Sequence, residues 1–87
     1  MKIKNGFVIR EIAGQSVVVA LGEASRSFNG IIKLNETGRV IWDKLTVGAE
    51  VSDIVDAILA EYEVDKNTVE KDVCAFISTL EENNILE

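Results

Sequence analysis

The chain has 87 residues and a net charge of −6, with 47% apolar residues, one cysteine and no histidine. This length suits one domain spanning residues 1–87, close to the lower size limit for a self-sufficient core, and the apolar share argues against an intrinsically disordered chain. The lack of histidine excludes Ser-His-Asp and Cys-His catalysis and zinc sites that use histidine. We therefore expect no catalytic residue, no metal and no cofactor.

The charge and the cysteine count also bear on partners and compartment. An acidic protein repels a phosphate backbone, which counts against nucleic-acid binding. No apolar run approaches the roughly 18 residues of a membrane span, so no membrane partner is expected. The charged start MKIKNGFVIREIAG does not resemble a secretory signal, and Cys74 alone cannot form an intrachain disulfide. We expect a cytoplasmic protein.

The first third of the sequence is rich in β-forming residues. Alternation and β-branched residues predict strands over Gly6–Ile12 and Ser16–Leu21, which a turn at Ala13-Gly14-Gln15 would join as an antiparallel hairpin. A polar loop over 22–27 and a third strand over Phe28–Leu34 follow. A glycine inside that third strand, Gly30, is typical of a bulge or of a close approach by another backbone.

The rest of the sequence predicts three helices, over Asn35–Leu45, Val51–Glu61 and Asp65–Asn83, with Asn35 and Asp65 as N-caps. Apolar residues recur at helical spacing in the second and third, so each has one face for a shared core. The apolar tail Ile85-Leu86 is expected to fold back onto that core. The order predicts an α+β fold, winged-helix-like, in which a three-stranded antiparallel sheet is followed by three helices.

Three segments carry a family resemblance. They are LNETG at Leu34–Gly38 with Ile41-Trp42 behind it, DIVDAILAEYEVD at Asp53–Asp65, and DVCAFISTLEENNIL at Asp72–Leu86. Their order and spacing resemble the PqqD-like family, also called the RiPP recognition element. The resemblance covers nearly the whole chain, because the strands before Leu34 fit it as well.

The resemblance implies a non-catalytic peptide chaperone in natural-product biosynthesis. Family members bind the leader segment of a ribosomally made precursor peptide as an added strand and present it to a maturation enzyme, often a radical SAM enzyme. The peptide-binding residues implied here are Phe28, Asn29, Gly30, Ile31, Ile32, Lys33, Val69, Asp72, Val73 and Phe76. PqqD proper carries a Pro-Glu-Gly between strands and this chain has no proline, which favours a different ribosomal peptide.

Several of these side chains have two interpretations. Ile31 and Ile32 are adjacent, so in a strand they point to opposite faces, and either both are buried or one lines a groove. Phe28 fits the core or the groove. Lys33 could pair with an acidic leader residue or guard the edge against a wrong strand. Asp72 could accept hydrogen bonds from the peptide or be a solvated helix charge.

Two other functions stay open at this stage. A winged-helix DNA-binding regulator needs a basic recognition helix, whereas the third predicted helix exposes Glu70, Lys71, Glu81 and Glu82 and is net acidic there. A plain protein–protein adaptor, including a homodimer that pairs open strand edges, is the second.

Overall fold

The computed structural model describes residues 1–28 and 30–87, and of Ser27 only the backbone. Strands β1 (Phe7–Ile12) and β2 (Gln15–Ala20) form an antiparallel hairpin in which Ile12 pairs with Gln15. The two loop residues, Ala13 and Gly14, have φ of 52° and 78°. A two-residue loop with positive φ at both positions matches the right-handed twist of the flanking strands, which explains the tight turn.

A four-residue helix, α1 (Ala24–Ser27), stands where the sequence predicted a loop, and strand β3 (Ile32–Leu34) follows it. Within the described residues, β3 is shorter than the predicted strand over 28–34. Phe28 instead caps α1, donating its backbone N–H to the Ala24 carbonyl at 3.0 Å, and its ring lies 6.0 Å from that of Phe7. The Phe28 ring is therefore buried beside Phe7, and Phe28 is not part of strand β3.

The three long helices are α2 (Glu36–Val47), α3 (Val51–Glu61) and α4 (Lys66–Glu82). Each lies within two residues of its predicted bounds. The sheet has the order β1-β2-β3, with every pairing antiparallel. The prediction of an α+β fold, with a three-stranded antiparallel sheet followed by three helices, is confirmed.

Side-chain caps begin the helices where the sequence placed them. Asn35 Oδ1 accepts the Gly38 N–H at 2.8 Å, and Asp65 Oδ2 accepts the Thr68 N–H at 3.1 Å. These bonds satisfy donors that have no partner inside the helix. At the start of α3, Asp53 Oδ2 accepts the backbone N–H of the residue before the helix at 3.0 Å.

One core joins the sheet to the helices. Its fully buried side chains come from all three long helices, from β2 and from the tail: Val18, Leu45, Ile54, Ile58, Val73, Leu80 and Ile85. The predicted return of the tail is confirmed, since Ile85 is fully buried. The sequence did not predict the segment that holds it. Ile3 is buried and forms an antiparallel bridge with Leu86, while the Lys4 N–H donates to the Ile85 carbonyl at 2.8 Å.

Candidate binding site

β3 forms one edge of the sheet. Val17 and Val18 of β2 pair with Lys33 and Ile32, and β3 has no strand on its other side within the described residues. An edge strand presents a row of backbone donors and acceptors to which another chain can add. Ile32 is half-buried against the core, whereas Lys33 between its neighbours points to the opposite face and is exposed.

A small apolar cleft lies beside the first turns of α4. It has a volume of about 80 Å³, and its apolar walls come from three helices and the loop before α4: Ile41, Ile58, Val64, Val69 and Val73. Polar side chains, Thr37, Thr68 and Asp72, stand at the same cleft. The arrangement can receive one apolar side chain and offer hydrogen bonds around it.

The sheet edge and the cleft are joined through the start of α2. Leu34, the last residue of β3, lies against Gly38: a β-carbon at position 38 would be in van der Waals contact with Leu34 Cδ2, at 3.6 Å. Thr37 and Ile41, which flank Gly38 along α2, line the cleft. The N-terminal turns of α2 therefore contact the end of the edge strand and also line the cleft.

The residues predicted on α4 are placed unequally. Val69, Asp72 and Val73 meet at the cleft, with the two valines buried and Asp72 exposed. Phe76 lies one turn further along and is half-buried against the core, outside the cleft. Three of the four α4 residues thus share one surface feature.

The residues predicted around β3 divide between core and surface. Phe28 is buried, and Ile31, just before the strand, is 59% exposed. Gly30 is exposed, and a β-carbon at its position would lie 3.5 Å from the Phe28 ring. The predicted Asn29 lies outside the described residues. The described residues among them, Phe28, Gly30 and Ile31, do not line the cleft beside α4.

Five residues at the cleft were not predicted as site residues: Thr37, Ile41, Ile58, Val64 and Thr68. Ile41 and Ile58 belong to apolar helix faces, which a sequence pattern assigns to the core. Val64 carried a usable signal, because it is an isolated aliphatic residue in the polar loop between Glu61 and Asp65, and it is 45% exposed.

A polar cluster closes the end of the sheet near the hairpin turn. Arg39 lies 3.6 Å from Glu11 Oε1 and 3.3 Å from Asp43 Oδ1, and the Gln15 side chain donates to the Leu34 carbonyl at 3.0 Å. Together these contacts tie β1, β2 and the end of β3 to α2. The cluster holds the edge strand in place.

Tyr62, after α3, stands by the same cluster. Burial, then the carboxylates of Glu36 and Glu61, raise the pKa of its phenol, and a hydrogen bond to Glu36 acts in the same direction. The phenol therefore remains a neutral donor to Glu36 well above neutral pH. Tyr62 and Glu36 line the same surface pocket as Arg39, so the residue after α3 lies next to the first turn of α2.

The sequence matches the family model described as "Coenzyme PQQ synthesis protein D (PqqD)" over residues 8–86. The chain belongs to the PqqD family. The family resemblance found in the three sequence segments is confirmed. A search of curated proteins gave no match for this PqqD-family chain.

Two solved structures are similar to this PqqD-family chain. The first, "TbiB1 in Complex with the TbiA(beta) Leader Peptide", is 36% identical, with a TM-score of 0.77, covering 100% of this chain and 95% of the other. The second, "Lasso peptide synthetase B1 complexed with the leader peptide", is 23% identical, with a TM-score of 0.73 over 97% and 93% of the two chains. At that identity the second similarity shows the fold.

Along the described ranges 1–28 and 30–87, no helix is both long and apolar enough to cross a membrane. Among those residues, no three or more Cys, Asp or Glu side chains are grouped so that they could hold a metal ion.

Proposed function

We propose that this chain, as a single unit over residues 1–87, binds the leader segment of a ribosomally made precursor peptide and presents it to a modifying enzyme. The observation that carries the proposal is the unpaired edge of β3, together with the apolar cleft that α4 and the start of α2 line. The structure of TbiB1, 36% identical over the whole chain, contains a leader peptide and supports the same role here.

The binding mode that we propose is addition of the leader as a fourth strand along β3. Main-chain hydrogen bonds to the edge would supply part of the affinity, and alternate side chains would supply the specificity. Because side chains alternate along a strand, every second leader residue would point to the helical side. One of these would enter the cleft between Val64, Val69 and Val73.

The complete proposed site includes both the edge and α4. On the edge it comprises Phe28, Asn29, Gly30, Ile31, Ile32 and Lys33, and on the helix Val69, Asp72, Val73 and Phe76. Lys33 is exposed and has no ion-pair partner within the described part of the chain. We propose that it faces an acidic leader residue, since opposite charges directly across two strands attract.

The role is non-catalytic in this proposal. The sequence contains no histidine for acid–base work at neutral pH, and the cleft contributes one carboxylate, Asp72. The chemistry would come from the maturation enzyme, for which the family resemblance favours a radical SAM enzyme. A cytoplasmic location fits a chain with the single, exposed Cys74.

The test is fluorescence anisotropy with a labelled leader peptide from the precursor gene beside this one. We expect a dissociation constant of about 1 µM or tighter, equivalent to about −8 kcal/mol. Leader peptides N-methylated at single positions should lose affinity at every second position along the added strand, because only alternate N–H groups face β3. Equal effects at all positions, or binding equal to that of a scrambled peptide, would contradict strand addition.

A further inference from the structure

The face of the sheet turned away from the three long helices is here called the outer face, and within the described residues it does not pack against the core cluster. The strand register places Val8 opposite Val19 and Arg10 opposite Val17 on this face, and Ile12 follows Arg10 on it. None of these five belongs to the core or packs against it, whereas their neighbours Phe7, Ile9 and Val18 do. Of the aliphatic side chains on the outer face, Ile12 is exposed, Val8 and Val19 are half-buried, and Val17 is buried.

Val17 lies at the centre of the outer face and is buried there. It is only 4% exposed although it lies outside the core cluster. Its cross-strand neighbours are Arg10 on β1 and Lys33 on β3. Long basic side chains can lie along apolar surface and keep their charges in water, and the register places both beside Val17.

On the outer face the three strands carry Arg10 and Lys33 and no acidic residue, whereas the chain as a whole has a net charge of −6. Up to Leu34 the sequence has five basic and two acidic residues, and beyond it four basic and thirteen acidic. Arg10 and Lys33 have no carboxylate within ion-pair distance in the described ranges, although the chain has 15 acidic residues. An apolar surface with unpaired cations is complementary to an apolar surface rimmed by carboxylates.

The outer face is continuous with the edge to which the leader would add. A leader strand beside β3 would place every second side chain on the outer face, next to Lys33. A protein docked there would contact the chain and the bound leader together. A second copy docked face to face would bring Arg10 and Lys33 against the same cations of its partner, which is unfavourable.

We propose that the outer face docks the enzyme that modifies the precursor, through an apolar patch of that enzyme rimmed by Asp or Glu. This inference rests on the proposed leader-binding function, because it takes the enzyme as the protein that must reach the bound peptide. Charge complementarity and continuity with the peptide edge are the two observations that carry it.

The test compares two double variants of the full chain. Arg10→Glu/Ile12→Gln alters the outer face away from β3. Lys44→Glu/Val47→Gln makes an equivalent charge reversal and aliphatic-to-glutamine change at exposed positions of α2. Biolayer interferometry with the purified maturation enzyme from the same gene cluster measures docking. Anisotropy with the labelled leader measures peptide binding, and urea unfolding checks the fold.

We expect the outer-face variant to weaken enzyme binding at least about tenfold, with leader affinity within about twofold of wild type and the α2 control unchanged. Wild-type enzyme affinity in the outer-face variant would overturn the proposal. So would a dimer, seen by light scattering, that the outer-face variant dissolves while enzyme binding persists. A chain that binds the enzyme through this face but not the leader would refute the peptide-binding function and leave the docking face standing.

Discussion

Asn35 and Gly38 fit each other so closely that a β-carbon at position 38 would lie 3.1 Å from Asn35 Oδ1, the atom that accepts the Gly38 N–H at 2.8 Å. This contact begins α2 and sets the position of Leu34 at the end of the edge strand. Within LNETG, the asparagine and the glycine therefore act as one structural unit.

Replacing Asn35 with alanine should lower the free energy of unfolding by about 1 kcal/mol, because the N-cap hydrogen bond is lost. Asn35→Asp should retain most of the stability, since a carboxylate accepts the same bond and suits the helix N-terminus. Urea unfolding followed by circular dichroism measures both. Equal stabilities for the alanine and aspartate variants would contradict this role.

The exposed Ile31 should matter for peptide binding and little for folding. Ile31→Asp should change the free energy of unfolding by less than about 0.5 kcal/mol, because the side chain is 59% exposed. It should weaken leader binding about fivefold, since an apolar cross-strand contact is replaced by a charge. Val47→Asp, at an exposed position of α2, is the control and should bind like wild type. Unchanged affinity of the Ile31 variant would remove this residue from the site.

Substitution of Val64 tests whether the leader peptide binds in the cleft. Val64→Ser removes aliphatic surface from the cleft wall and should weaken leader binding by a factor of about three to ten. Leu21→Ser is a matched control, because Leu21 is 47% exposed against 45% for Val64 and lies at the end of β2. If both variants lose affinity equally in anisotropy titrations, the leader does not use this cleft.

Ile85 tests whether the tail contributes to the core. Ile85→Ala should lower the free energy of unfolding by about 2–5 kcal/mol, because the side chain is fully buried and its loss leaves a cavity. Leu86→Ala, at a half-buried neighbour, should cost less. Chemical denaturation measures the loss of unfolding free energy in each variant. Equal losses would contradict a larger contribution from the fully buried Ile85.

Tyr62 is the single tyrosine, so absorbance near 295 nm reports its ionisation directly. Its pKa in the folded chain is raised above the ordinary value of 10.0, first by burial and then by Glu36 and Glu61. The unfolded chain therefore loses this proton at a lower pH than the folded chain. The stabilisation that the protonated Tyr62 phenol gives the folded chain is fully present below about pH 10. It is lost as the pH rises through the pKa of Tyr62 in the folded chain.

The variant Glu36→Gln removes one of the nearby carboxylates. It should move the midpoint of the Tyr62 titration downward, toward 10, because a negative neighbour no longer opposes the phenolate. A titration unchanged by the substitution would show that Glu36 does not influence the phenol.

The helices were predictable because their signals are local. Asn35 and Asp65 mark starts, and apolar spacing marks the buried faces. The first four residues gave no such signal, since Ile3 is held by the distant Leu86. β3 was overestimated because FNGIIKL has strand composition, whereas Phe28 obtains its burial beside Phe7. The cleft was only partly predicted, because its walls come from residues far apart in sequence, such as Ile41 and Val64.

For leader binding along β3 as proposed, the short length of this strand has a kinetic consequence. Three residues offer a guest strand only a few backbone hydrogen bonds, each with a net value of about 1 kcal/mol. A longer edge would hold any extended peptide, including unrelated unfolded chains, and would release it slowly. A brief edge leaves discrimination to side-chain fit and keeps the residence time short. This chain would then release a modified precursor peptide and bind an unmodified one in each turnover of the enzyme.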